Sequence, residues 1–133
     1  MQLVSVGTVE SSLTDVASAP MQGDEGAPDA WLVFDERFAA ALDGIAAGDE
    51  MLLLTWLHQA DRDVLRVHPR DDSARPVQGV FNTRSPDRPN PLGLHRVTVR
   101  SIDGLRVRVS ALEAVNGTPI VDVKPVLTRI GER

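Results

Sequence analysis

Cysteine is absent from the 133 residues, and with it go disulfides, thiolate nucleophiles, iron–sulfur clusters and cysteine-type zinc sites. No apolar run approaches the ~18 to 20 residues of a membrane-spanning helix. The opening MQLVSVGTVE has no basic stretch followed by a hydrophobic one, so neither insertion nor export is indicated and a cytoplasmic protein is expected. Neither Gly-x-Gly-x-x-Gly nor a phosphate loop occurs, which disfavours a doubly wound nucleotide fold. The three histidines, at 58, 68 and 95, have no close metal-ligand spacing, and no carboxylate-rich loop suggests calcium or magnesium, so no metal is expected. Ser85 lacks the Gly-x-Ser-x-Gly setting of a hydrolase nucleophile. The remaining chemistry must use oxygen, nitrogen and a bound cofactor.

The length suits one domain, residues 1–133, with one core. The net charge of -5 hides a split: residues 1–63 hold 12 acids and two Arg (-10), residues 64–133 seven acids and 12 bases (+5). Such asymmetry hints at a polyanion partner for the basic half.

Leu3, Val4, Val6 and Val9 read as a first strand, and Trp31 to Phe34 as another. Between them, Glu10 to Asp29 is a long Ser, Asp, Gly and Pro-rich loop, either a binding loop or plain disorder. Asp35 leads into the one expected helix, Glu36 to Leu42, with Phe38, Leu42 and Ile45 on a shared face. Met51 to Leu57 is uninterruptedly apolar and is expected to be a strand buried on both faces. Val64 to Val67 and Val77 to Asn82 are strand-like, and Ile120 to Pro125 alternates. The clearest hairpin joins Val97–Ser101 to Leu105–Val109. A three-residue loop, Ile102-Asp103-Gly104, would pair Val99 with Val107 and set Arg100 opposite Arg106. The outer face then carries Arg96, Thr98, Arg100, Arg106 and Arg108, meeting either an external anion or the acidic N-terminal half. The fold class is mainly β: a small antiparallel barrel with one accessory helix and long loops.

Arg84-Ser85-Pro86-Asp87-Arg88-Pro89-Asn90-Pro91 holds two Arg and one Asn on a loop stiffened by three prolines. Such a loop loses little ordering entropy on gripping a ligand, although a rigid edge connection would look the same. His58, ending an apolar strand, is either a ligand contact or a hydrogen-bonded core-edge residue. Asp122 and Lys124 point to one side of a strand and are expected to pair.

The stretch GVFNTRSPDRPNPLGL (Gly79 to Leu94) and the later NGTPIVDVKP (Asn116 to Pro125) closely resemble the two signature segments of the TsaA/TrmO-like family. That family includes bacterial tRNA (N6-threonylcarbamoyladenosine37-N6)-methyltransferases. The resemblance implies an S-adenosyl-L-methionine-dependent methyltransferase on an unusual β-barrel, acting as a homodimer on the tRNA anticodon loop. By the family pattern, cofactor contacts come from Gln22 and Gly23, His58 and Gln59, Arg84, Leu94, and the strand Ser110, Ala111, Leu112 and Glu113. Contacts to RNA would fall to Arg88, Arg96, Arg100, Arg106 and Arg108. Asn90, followed by Pro91, is the catalytic candidate, by analogy with the Asn-Pro pair of adenine-N6 methyltransferases on another fold. The chain departs from the pattern at Asn116, where Asp is usual, and at Asn82, in place of a small residue. It stops soon after Pro125, whereas longer tRNA-acting members carry a further C-terminal domain, so a short form is expected. A different, small-molecule acceptor and a non-catalytic cofactor-binding module are the competing functions.

Overall fold

The computed structural model describes residues 1–14 and 26–128. Six antiparallel strands close into a barrel in the order β1 (Gly7–Glu10), β2 (Ala30–Phe34), β7 (Arg106–Val109), β6 (Leu92–Asp103), β3 (Glu50–Trp56), β8 (Pro119–Pro125), with β8 returning to β1. A separate two-stranded ribbon, β4 (Arg66–Val67) with β5 (Gln78–Gly79), lies between β3 and β6 in sequence. Closure leaves these six strands without a free sheet edge along most of their length.

Alternation puts the β-branched and aliphatic residues inside: Val9, Leu32, Leu53, Val97, Val99, Val107, Val109 and Ile120 are almost fully buried. The interior is packed solid, with a void of only about 10 Å³ among Leu32, Phe34, Met51, Val97 and Val107. A ligand therefore binds outside the barrel or at its ends.

Several strand boundaries differ from expectation. The first strand starts at Gly7, leaving Leu3 and Val4 exposed. The strand Met51 to Leu57 is not buried on both faces: Met51, Leu53 and Thr55 point into the core, while Leu52, Leu54 and Trp56 are half-exposed on a single-layer barrel wall. Val64 and Leu65 fall outside β4, and Val77 to Asn82 splits into β5 and a 3-10 turn, Val80–Asn82.

The helix Glu36–Leu42 is present in 3-10 form. Asp35 caps it, accepting from the Arg37 amide at 3.0 Å, and Leu42 and Ile45 pack against the barrel core.

The hairpin has a register different from the expected one. Val99 pairs with Val109 and Asp103 with Arg106 across a two-residue Gly104-Leu105 turn, and the ladder shifts between Val99 and Ser101. The expected three-residue loop and the pairing of Arg100 with Arg106 are therefore wrong. A bulge at Arg100 absorbs the extra residue, which is how Val97 and Val99 share the buried face with Val107 and Val109 despite a short turn. Gly104 supplies the required positive φ of 60°.

Candidate functional site

One end of the barrel gathers the C-terminal ends of β1, β3 and β7 and the N-terminal ends of β2, β6 and β8. Residues 26–29 and 110–118 cover it, tied by the Leu112 amide to the Pro28 carbonyl (2.9 Å) and the Gly117 amide to the Val9 carbonyl (2.7 Å). Gln22 and Gly23 lie outside the described residues.

The Pro-rich loop Thr83 to Pro91 is anchored here from both sides. The Ser85 amide bonds to Thr83 Oγ1 (3.1 Å) and the Asp87 amide to Ser85 Oγ (3.2 Å), so Ser85 is a turn-maker. The Asp61 amide donates to Asp87 Oδ1 (2.8 Å), the Arg88 amide to the Asp61 carbonyl (3.0 Å) and the Leu57 amide to the Pro91 carbonyl (2.8 Å). Arg62 lies 5.0 Å over Trp56, donating to the Pro89 carbonyl at 2.7 Å and to Asn90 Oδ1 at 3.2 Å. These bonds fasten the loop to residues 56–62 and give it one conformation.

Within it the two arginines divide their work. Arg88, half-buried, turns back and donates to the Thr83 and Val80 carbonyls, so its guanidinium is spent on the loop itself. Arg84 is exposed and donates through Nη2 to the Leu94 carbonyl at 3.1 Å. That contact marks an opening in the barrel wall. Thr98 directs its carbonyl toward Ser110 (2.8 Å), and Leu94, four residues earlier on β6, directs its carbonyl to the same edge. The neighbouring chain leaves the ladder after Val109, so Arg84 meets an edge that no strand covers.

Across this opening stands Glu113, its carboxylate in contact with His95 Nδ1, while His95 Nε2 lies 2.7 Å from Thr55 Oγ1. Thr55 is fully buried, the His95 side chain is 4% exposed and that of Glu113 17%, so a polar line runs from the core to the surface. Gly93 makes room for it: a Cβ there would sit 2.4 Å from Thr55 Oγ1 and 2.7 Å from His95 Nε2.

The structure thus brings Arg84, Leu94 and Glu113 to one opening, with Ser110 at its rim and Leu112 turned fully into the core. Ala111 lies half-buried beside them. His58 and Gln59 are exposed in the turn after β3, at the same barrel end. Both oxygens of Asn90 are engaged, Oδ1 by Arg62 and the carbonyl by the Leu92 amide at 2.7 Å. His95, which has no metal-ligand spacing, stands two residues before Val97 on the buried face of β6, and that alternation is the signal in the sequence that its ring points inward.

The four outward arginines of β6 and β7 all meet acids of the N-terminal half. Arg96 pairs with Glu50 (2.7 Å), Arg106 with Glu10 (2.9 Å) while stacking over Trp31, and Arg100 and Arg108 share Asp29 (3.7 and 3.6 Å). Lys124 pairs with Asp122 at 3.6 Å as expected. Among the described residues no helix is long and apolar enough to cross a membrane.

A solid antiparallel barrel with Arg84 and Glu113 at an opening in its wall, beside a clamped Arg/Asn loop, defines a class distinct from nucleotide-binding doubly wound sheets. The family model of the tRNA-methyltransferase O N-terminal domain matches residues 8–131, and the chain belongs to this family. A relative from Methanocaldococcus jannaschii, named "Probable S-adenosyl-L-methionine-binding protein MJ1583", is 44% identical over 96 residues, 69% of this chain and 75% of its own. From Rhizobium radiobacter, "Probable S-adenosyl-L-methionine-binding protein VirR" is 36% identical over 123 residues, 92% of this chain and 69% of its own. A solved structure titled "Crystal structure of TrmO" superposes over 100% of this chain with a TM-score of 0.76 at 26% identity. This chain spans 62% of that protein's length.

Proposed function

We propose that the chain binds S-adenosyl-L-methionine at the opening beside β6 and transfers its methyl group to N6 of threonylcarbamoyladenosine 37 in tRNA. The observation that carries the reading is the meeting of Arg84, the Leu94 edge and Glu113 at one opening in a chain whose family is that of a tRNA methyltransferase domain. The donor set suits the group: a guanidinium for a carboxylate, a carboxylate for hydroxyl or ammonium donors, and exposed Leu92 and Leu94 for an apolar ring. When bound, the cofactor supplies an electrophilic methyl on a sulfonium.

The chain's own part is alignment. A clamped loop loses little entropy on closing over reactants, and in-line displacement depends chiefly on orientation. Asn90 Oδ1 would accept a hydrogen bond from N6–H on the lone pair that Arg62 leaves free, helping the nitrogen pair to localise, and the proton released from N6 would pass to water. A homodimer is part of this proposal. Its support is the outward apolar strip in which Leu54 pairs with Leu94 and Trp56 with Leu92. For the basic face, RNA phosphates would have to displace Glu10, Asp29 and Glu50, which exposed pairs of this kind permit at little cost.

The first test is calorimetric titration with S-adenosyl-L-methionine and its demethylated product, then with an anticodon stem-loop carrying the modified adenosine. Binding of both, with methyl transfer on mixing, supports the proposal. Cofactor binding without RNA binding turns the search to a small acceptor, and no cofactor binding leaves a barrel that serves another ligand. Arg84→Ala is expected to weaken cofactor binding at least tenfold, and Arg100→Ala to weaken RNA binding with a shallower salt dependence.

A further inference from the structure

We propose that His95 is a positioning residue, which holds the Glu113 carboxylate at the opening so that its second oxygen accepts a hydrogen-bond donor of the ligand. The proposal rests on the cofactor reading above and concerns how this chain builds that site.

The hydrogen-bond inventory determines the arrangement. An ionised carboxylate only accepts, so Nδ1 of His95 carries the proton that faces Glu113 Oε1. Nε2 lies 2.7 Å from the Thr55 hydroxyl, which can donate to it or accept from it, so the ring is held at both nitrogens. Thr55 is locked on β3, opposite Gly93, and is fully buried. Rigidity therefore passes outward, from a strand residue through an imidazole with no freedom to turn, to a carboxylate on the irregular segment 110–118 that no ladder restrains. Among the described residues Oε2 of Glu113 has no protein hydrogen-bond partner, although the side chain is 17% exposed. A carboxylate at the rim with one oxygen tied to a buried imidazole and the other without a partner among the described residues is an oriented acceptor for a ligand donor.

Two features show that the line is built in. Glycine stands at 93, where any Cβ would run into both Thr55 Oγ1 and His95 Nε2. The imidazole also occupies an inward position between Gly93 and Val97 that an aliphatic side chain would fill without needing partners. The ligand's donor is either a nucleoside hydroxyl or an ammonium.

The test is calorimetry with S-adenosylhomocysteine and with 5′-methylthioadenosine, which lacks the amino-acid end, on His95→Ala, His95→Asn, His95→Gln, Thr55→Val, Glu113→Ala and the double variant His95→Ala/Glu113→Ala. Circular dichroism checks that each is folded. His95→Ala is expected to weaken binding of S-adenosylhomocysteine at least tenfold. His95→Asn, whose amide reproduces the Nδ1 donor, should stay within about threefold of the parent, and His95→Gln should not.

Because His95 acts through Glu113, the double variant should bind no worse than Glu113→Ala. Equal losses for the two ligands would assign the donor to the nucleoside, and a loss confined to S-adenosylhomocysteine would assign it to the ammonium. Wild-type affinity in His95→Ala, or additive losses in the double variant, overturns the positioning role while leaving the cofactor reading intact. If His95→Ala does not fold, the contrast between His95→Asn and His95→Gln decides. Failure of the parent protein to bind either ligand removes the cofactor reading and this proposal together. The ring itself is read without ligand: ¹⁵N spectra should show the Nδ1-protonated tautomer, and the opposite tautomer overturns the proposal.

Discussion

Gly93 shows how one missing methyl group sustains a polar line through an apolar core. Gly93→Ala would press a Cβ against Thr55 Oγ1 at 2.4 Å, and both Thr55 and His95 are held too tightly to yield. A loss of about 1–3 kcal/mol is expected, the usual penalty for overpacking, and thermal unfolding measures it. Arg88 carries a different lesson. Loop composition alone does not separate it from Arg84, and the family pattern gave it to RNA, yet it is the arginine that closes the loop on itself. Arg88→Ala should lower stability by about 1–2 kcal/mol through the Thr83 carbonyl left unpaired, since the Val80 carbonyl keeps the Thr83 amide and hydroxyl. A weakening of RNA binding larger than the loss of folded protein would show that Arg88 also reaches the RNA. Arginine is the same residue in both places, and only the positions of the surrounding carbonyls tell the roles apart.

Among the elements, β6 is the one that organises the molecule. Its first half pairs with β3 and its second half with β7, and the bulge at Arg100 lies in the second half. Face matching in the sequence correctly put Val97 and Val99 with Val107 and Val109. It chose the wrong loop length because a bulge changes register without changing any residue's polarity. The turn depends on a positive φ at Gly104, so Gly104→Ala is expected to cost about 1 kcal/mol, read by chemical denaturation. The signature loop is held as an element by Arg62, which bridges Trp56, Pro89 and Asn90. Arg62→Ala should leave the barrel folded while amide hydrogen exchange in residues 83–91 speeds up several-fold. Unchanged exchange would mean that the three prolines alone hold the loop. The proline content was legible in the sequence; the clamp was not, because Arg62 and Asn90 are 28 residues apart.

At the scale of the whole molecule, the charge split between the halves becomes a set of ion pairs around the barrel. Strand order β1-β2-β7-β6 lays the acidic half beside the basic one, so the outer arginines answer Glu10, Asp29 and Glu50. All of these groups are substantially solvated, and the pairs contribute little to stability. Asp29→Asn is accordingly expected to leave the melting temperature within a few degrees, while releasing Arg100 and Arg108 and tightening anticodon stem-loop binding with a steeper salt dependence. Unchanged RNA affinity would place the RNA elsewhere. Leu54→Glu, on the outward apolar strip, is expected to shift the proposed dimer to monomer in sedimentation equilibrium without unfolding the barrel. An unaltered mass would move the dimer contact off this strip.

Much of the barrel follows from local pattern. Apolar runs marked β2 and β3, alternation marked β6, β7 and β8, Asp35 marked a cap, and the two signature segments marked the family, because each of these signals lies within a few consecutive residues. The turn from α to 3-10 geometry in Glu36–Leu42, the bulges in β6 and β8, and the turning of Arg88 back onto its own loop were decided only by closure of the barrel. The same holds for the line Thr55, His95 and Glu113, whose members come from β3, β6 and the segment after β7. A hydrogen bond between side chains 40 residues apart leaves no periodicity for a sequence to display. It exists because antiparallel pairing sets Thr55 opposite Gly93, whose missing Cβ leaves space in the wall where an imidazole fits.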